Sequence, residues 1–248
     1  MVNLVKKNYK FILFSLVAGL IAGIFMPSYY ASMLTEDLMN ELLTEIGSIE
    51  IFNVIVFAQT VSYAIIFSVI GIILSNKVGL WKSFELNKKS LITAMSIGLV
   101  GGMIIILLDQ FVFIPLCPQL SLTKLTLPYI MISYTYGGVI EELMLRLGLM
   151  SLVSFIIWKV FTNDKTIPNK VFIIANFICA FLFALGHIPA TIVFFGELTL
   201  VLIIRCFALN GTLGFVFGHL YQKYGILYAM IAHACAHAGM QIMILLLS

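Results

Sequence analysis

The chain has 248 residues, of which 62% are hydrophobic and only 10% charged, whereas about one quarter of an average soluble domain is charged. Such a balance excludes a soluble enzyme and describes a protein folded inside a bilayer. The net charge of +3 matters less than where the charges sit, and no nucleic-acid partner is expected.

A helix needs roughly 20 apolar residues to cross about 30 Å of hydrocarbon. Runs of this kind lie at about 11–26, 51–75, 91–116, 128–158, 171–188, 198–220 and 226–247. The run at 128–158 is long enough to hold a bend or a second short helix. The expectation is therefore an all-α, polytopic transmembrane bundle of seven or eight helices. No internal repeat and no linker divides the chain, which reads as a single transmembrane domain over 1–248.

In chain order, Lys6, Lys7 and Lys10 precede the first run, which is expected to be retained because no small-x-small cleavage site follows Pro27. Between Leu34 and Ile49 the apolar Leu38, Leu42, Ile46 and Ile49 stand opposite acids, the pattern of a helix lying on the membrane surface. The surrounding loop carries Glu36, Asp37, Glu41, Glu45 and Glu50 with no Lys or Arg. Lys77, Lys82, Lys88 and Lys89 follow the second run, and Lys159, Lys165 and Lys170 follow the fourth. Because Lys and Arg concentrate on the cytoplasmic side, the N-terminus is expected inside and the acidic loop outside. Cys117, Cys179, Cys206 and Cys235 have no C-x-x-C spacing and read as packed thiols.

The fourth run contains Glu141-Glu142-Leu-Met-Leu-Arg146. Charges at helix centres cost about 2.5 to 3.5 kcal/mol on insertion scales, so this cluster marks a functional site. Glu142 and Arg146, four apart, share a helix face in the favourable acid-before-base order. Glu141 points away from that pair and is the candidate for chemistry. In the fifth run Asn176, Ala180, Phe183 and His187 follow the spacing of one helix face. In the sixth, Arg205 and Asn210 are polar residues that either meet a substrate or find a protein partner, and Asp109 near the end of the third is read as an interfacial residue. In the last run His233 and His237 stand at i,i+4, with Gln241 one turn further on the same face. Two imidazoles so placed can grip one ion, a third His or a carboxylate completing a zinc set with an open water position.

Glu-Glu-x-x-x-Arg, Phe-x-x-x-His and a later His on separate runs, in that order, resemble the CPBP family, which includes CAAX prenyl endopeptidases and Abi proteins of bacteriocin processing or self-immunity. The motifs span roughly residues 137 to 240, and the resemblance implies a catalytic region over 120–245. It gives Glu141, Glu142, Arg146, Phe183, His187 and His233 motif positions. His237 departs from the pattern, because the family usually carries Asn or Asp there. The resemblance implies an intramembrane endopeptidase acting on a membrane-associated peptide or protein, in an integral membrane protein that reads as bacterial. Glu141, Glu142, Arg146, His187, His233 and His237 are its expected catalytic set, and Phe183, Asn176 and Arg205 are expected to touch substrate. His187, His233, His237 and Glu141 are the expected ligands if zinc takes part. A non-catalytic immunity or partner-binding protein on the same scaffold is one alternative, and an ion or proton transporter is another.

Overall fold

The computed structural model describes residues 2–83, 85–117, 120–162 and 164–247. They form helices and no strand, and seven of the helices are long and apolar enough to cross a membrane: Tyr9–Met33, Ile49–Lys77, Lys88–Leu116, Leu127–Phe161, Asn169–Phe195, Leu200–Tyr224 and Ile226–Leu247. The outward faces are apolar. Val54, Phe177 and Leu245 are each about two thirds exposed, at 66%, 67% and 69%, an arrangement suited to lipid and costly in water. The acidic segment folds as the short helix Glu36–Ile46, with no buried residue, as its pattern requires of a surface helix.

Caps set the starts of these helices. The side chains of Ser48, Asn87, Thr126 and Thr199 accept hydrogen bonds from Ile51, Ser90, Tyr129 and Leu202 backbone N–H groups at 2.9 to 3.4 Å. They satisfy donors that the first turn of a helix leaves orphaned. Inside the bundle, Ser15 and Thr60 return their hydroxyls to the Phe11 and Val56 carbonyls. Small hydroxyl residues thus pack between helices without leaving an unpaired group.

Two packing features position the site. The third and seventh spans lie in backbone contact: a Cβ at Gly98 or Gly102 would collide with the Ala232 or Ala236 carbonyl. Small residues on both helices allow that approach. The sixth and seventh spans are joined by a tight turn at Gly225, over which Lys82 donates to the Gln222 and Lys223 carbonyls. At about 1.5 Å per residue, His233 lies only about 10 Å from that turn, while Glu142 and Phe183 lie roughly 20 to 30 Å from the ends at Phe161 and Asn169. Beside the turn, Gln222 Nε2 donates to Asn169 Oδ1 at 2.6 Å, so the turn lies close to the Asn169 end of the fifth span.

The long fourth run is one continuous helix, not two. It opens and closes as α-helix, Leu127–Ile132 and Ser151–Phe161, with π-type i→i+5 turns over Ser133–Glu141 and Leu143–Met150. The fifth run extends past its expected end near 188. It breaks at His187 and continues as Ile188–Phe195 with Pro189 in the first turn, where a missing N–H costs nothing.

Candidate active site

Glu141 ends the first wide-turned stretch of the fourth span and Glu142 stands between the two stretches, and π geometry of this kind recurs at functional sites. Glu142 is fully buried, and its Oε1 pairs with Arg146 Nη1 at 2.8 Å. Arg146, 2% exposed, also donates from Nη2 to the Gly214 carbonyl at 2.9 Å. Its guanidinium lies over the rings of Phe183 and Phe217, 4.9 and 5.6 Å from their centroids. A charge in this position is tolerated because an opposite charge, a carbonyl and two π faces replace its hydration.

The same Glu142 Oε1 accepts from His233 Nδ1 at 2.8 Å. Since a carboxylate oxygen accepts, the proton of that bond sits on Nδ1, and Nε2 is the ring atom left for other work. Nε2 stands 3.9 Å from Glu141 Oε2, too long for a direct hydrogen bond and short enough for one water to touch both. Phe217 stacks on one side of the His233 ring and His237 on the other, at centroid distances of 4.7 and 5.0 Å.

His187 terminates the first half of the fifth span. Its Nδ1 donates to the Phe183 carbonyl at 2.8 Å, so its Nε2 is also free. Its own carbonyl accepts from Thr191 Oγ1 at 2.8 Å. The Phe183 ring lies between the two histidines, 4.7 Å from His187 and 6.1 Å from His233. His237 is within electrostatic range of both. The expected set of Glu141, Glu142, Arg146, His187, His233 and His237 therefore gathers in one region.

The three residues expected to touch substrate each have protein partners. Phe183 is buried against Arg146, His187 and His233. Asn176 is buried and donates to the Phe215 carbonyl at 2.9 Å. Arg205 makes a two-pronged ion pair with Asp109 of the third span, 2.6 Å for each contact. Asp109 is accordingly a buried partner and not an interfacial residue, because an intramembrane arginine needs a countercharge.

Residues missed in the sequence complete the surroundings. Phe217 and the Gly214 carbonyl hold the arginine and His233. The hydroxyls of Tyr29, Tyr30 and Tyr136 lie within electrostatic range of Glu141, and Glu141, with its side chain 22% exposed, is the more accessible carboxylate. No motif marks these tyrosines; only their position near the end of the first span and in the fourth brings them together. Among the described residues, no three His, Cys, Asp or Glu side chains stand close enough to form a metal-ligand group. The zinc set does not fit as the side chains are placed, and no step below runs through a metal.

The fold defines an integral membrane protein with a buried polar cluster inside its helical bundle. Residues 123–239 match the family model described as Type II CAAX prenyl endopeptidase Rce1-like, in agreement with the CPBP/CAAX protease family that the motifs resemble. The match supports a CAAX-type intramembrane endopeptidase in general. It covers every residue from Glu141 to His237 and leaves out the first three spans. No curated protein and no solved structure matches the chain.

Proposed function

We propose that the protein hydrolyses a peptide bond of a membrane-associated peptide or protein, with Glu141 as the general base. The observation that carries this reading is the line Arg146, Glu142, His233, Glu141: a buried ion pair orients an imidazole, and the imidazole faces a second, more accessible carboxylate. A water held between Glu141 Oε2 and His233 Nε2 loses a proton to Glu141 as its oxygen adds to the scissile carbonyl carbon. The oxyanion that forms is met by imidazolium: His233 and His187, whose Nδ1–H groups are given to Glu142 and the Phe183 carbonyl, donate from Nε2 only when doubly protonated. The C–N bond then breaks, and Glu141 returns its proton to the leaving amine. Glu142 and Arg146 touch neither water nor substrate in this scheme. They hold His233 in place.

One feature favours zinc as a second reading. Both His187 and His233 commit Nδ1–H to a protein acceptor and leave Nε2 as a lone pair, the arrangement usual for metal-ligating histidines.

The test uses purified protein in lipid nanodiscs, an internally quenched farnesylated peptide ending in Cys-aliphatic-aliphatic-X, and peptidomics of membranes carrying wild-type or Glu141→Ala protein. Glu141→Ala, His187→Ala and His233→Ala are each expected to abolish cleavage while the protein inserts and accumulates. Removal of a general base costs about 10²- to 10⁴-fold. Near-wild-type turnover by any one variant removes that residue from the mechanism. Identical peptidomes, with no cleavage of the probe by wild type, would count against the peptidase reading altogether.

A further inference from the structure

Gln241 lies one turn beyond His237 on the face that carries His233, outside the segment matched by the family model. It is 8% exposed. Tyr134 Oη donates to its Oε1 at 2.8 Å, which fixes the amide's orientation and leaves Nε2 on the opposite edge. That nitrogen is buried and has no hydrogen-bond partner, and neither has His237 Nδ1. The His237 ring is itself held, because its Nε2 edge lies against Gly137, where even a Cβ would come within 2.5 Å. Tyr134 and Gly137 both belong to the wide-turned segment that ends at Glu141. Two buried polar atoms therefore remain along one seam between the fourth and seventh spans, and the seam leads to the Glu141–His233 pair. Buried groups of this kind are rare in proteins and call for a partner.

The spacing identifies that partner. Residues four apart on a helix are separated by about 6 Å along its axis. Carbonyls two apart on one side of an extended peptide are separated by about 6.6 Å. Resting on the peptidase reading above, we propose that His237 and Gln241 form a ladder that binds alternate backbone carbonyls of an extended substrate, with Tyr134 as the residue that positions the Gln241 amide. With His233 at the reacting carbonyl, His237 meets the carbonyl about two residues away and Gln241 the one about four residues away. The substrate class is an extended peptide segment reaching about four residues to one side of the cleaved bond. Recognition goes through its backbone, whatever its side chains.

The experiment separates this claim from the chemistry by measuring binding in the uncleaving Glu141→Gln background. The probe is a dye-labelled farnesylated peptide ending in Cys-aliphatic-aliphatic-X, together with versions extended or trimmed residue by residue from either end. Gln241→Leu is expected to weaken binding about five- to tenfold for peptides long enough to reach the ladder, and to leave unchanged those trimmed short of it on one side. Tyr134→Phe, which frees the amide to turn over, should weaken binding in the same length-dependent way. The double variant Tyr134→Phe/Gln241→Leu should bind no worse than Gln241→Leu alone. Its midpoint of thermal unfolding should hold or rise, because both polar partners are removed together. Weaker binding that is independent of peptide length, or a midpoint that falls with binding, makes the pair structural and overturns the ladder. So does a failure of the longest peptides to bind. Length-dependent binding without any cleavage by the wild type supports the ladder while striking the peptidase reading.

Discussion

Removing Arg146 tests the core of the site, because its cost follows from burial alone. In Arg146→Met the methionine fills part of the space between Phe183 and Phe217, but Glu142 remains fully buried with no cation at 2.8 Å. Breaking a buried pair by removing one partner costs about 3 to 5 kcal/mol. The Gly214 carbonyl loses its Arg146 donor as well, worth about another 1 kcal/mol, though the two losses overlap. Against a total stability of about 5 to 15 kcal/mol, a loss of about 4 kcal/mol lowers the unfolding midpoint by roughly 8 to 16 °C for a chain of this size. Glu142→Gln strands the arginine instead and should cost about as much. The combination Glu142→Gln/Arg146→Met removes both charges and should be more stable than either single variant, a non-additivity that a double-mutant cycle reads directly. His233 Nδ1–H can still donate to the new amide oxygen, so the double variant should keep part of its activity where Arg146→Met keeps little. Unfolding would be followed by the fluorescence of Trp81 and Trp158 in nanodiscs. Single variants that cost under about 1 kcal/mol, or a double variant that costs the sum of the singles, would refute the argument, since either result describes a solvated pair.

Two further outcomes are expected. If His237 is a zinc ligand, His237→Asn lowers metal content and activity together, because an amide binds zinc poorly; if it only donates hydrogen bonds, Asn sustains activity and His237→Leu does not. Full activity after exhaustive chelation, with no metal by elemental analysis, rejects zinc. For orientation, single cysteines placed in the helix Glu36–Ile46 should be labelled from outside the cell and those near Lys88 and Lys89 from inside; labelling of both from one side overturns the arrangement inferred from the lysine clusters.

The number of spans was legible because hydrocarbon thickness sets the length of an apolar run. Depth was not. A fifth run ending near 188 puts His187 at one end of its span and His233 toward the other end of its own, which keeps them apart when the spans are drawn as parallel rods of equal depth. The fifth span runs on to Phe195, so His187 lies inside it, and the loop from the second to the third span is tied against the Gly225 turn by Lys82 and Tyr228, contacts some 140 residues apart in sequence. The π turns were equally hidden. Nothing in the residue types of Ser133–Glu141 distinguishes i→i+5 from i→i+4 bonding; the close seating of Gly137 and Gly138 on His237 and Ala234 is a tertiary fact. The break at His187, by contrast, was written as Gly186-His187-Ile188-Pro189, a helix stop followed by a proline start.

The pairings inside the bundle divide along the same line. Glu142 with Arg146 could be read at once because both lie on one helix, four apart. Asp109 with Arg205 could have been reached by elimination. Apart from Glu50 at the start of the second span, the acids within the seven runs are Asp109, Glu141 and Glu142, and with Glu142 taken by Arg146 and Glu141 reserved for chemistry, only Asp109 is left to balance an arginine that hydrocarbon would not tolerate alone. Treating the two as separate polar residues lost that inference. No such balance could have found Tyr29, Tyr30 or Tyr136, since a tyrosine in a span is ordinary and its nearness to Glu141 is made only by packing. Two of these three tyrosines lie in the first span, outside the matched segment. The first span therefore does more than complete the bundle: it brings two tyrosine hydroxyls within electrostatic range of Glu141, so changes there can reach the carboxylate proposed as the base without touching any motif residue.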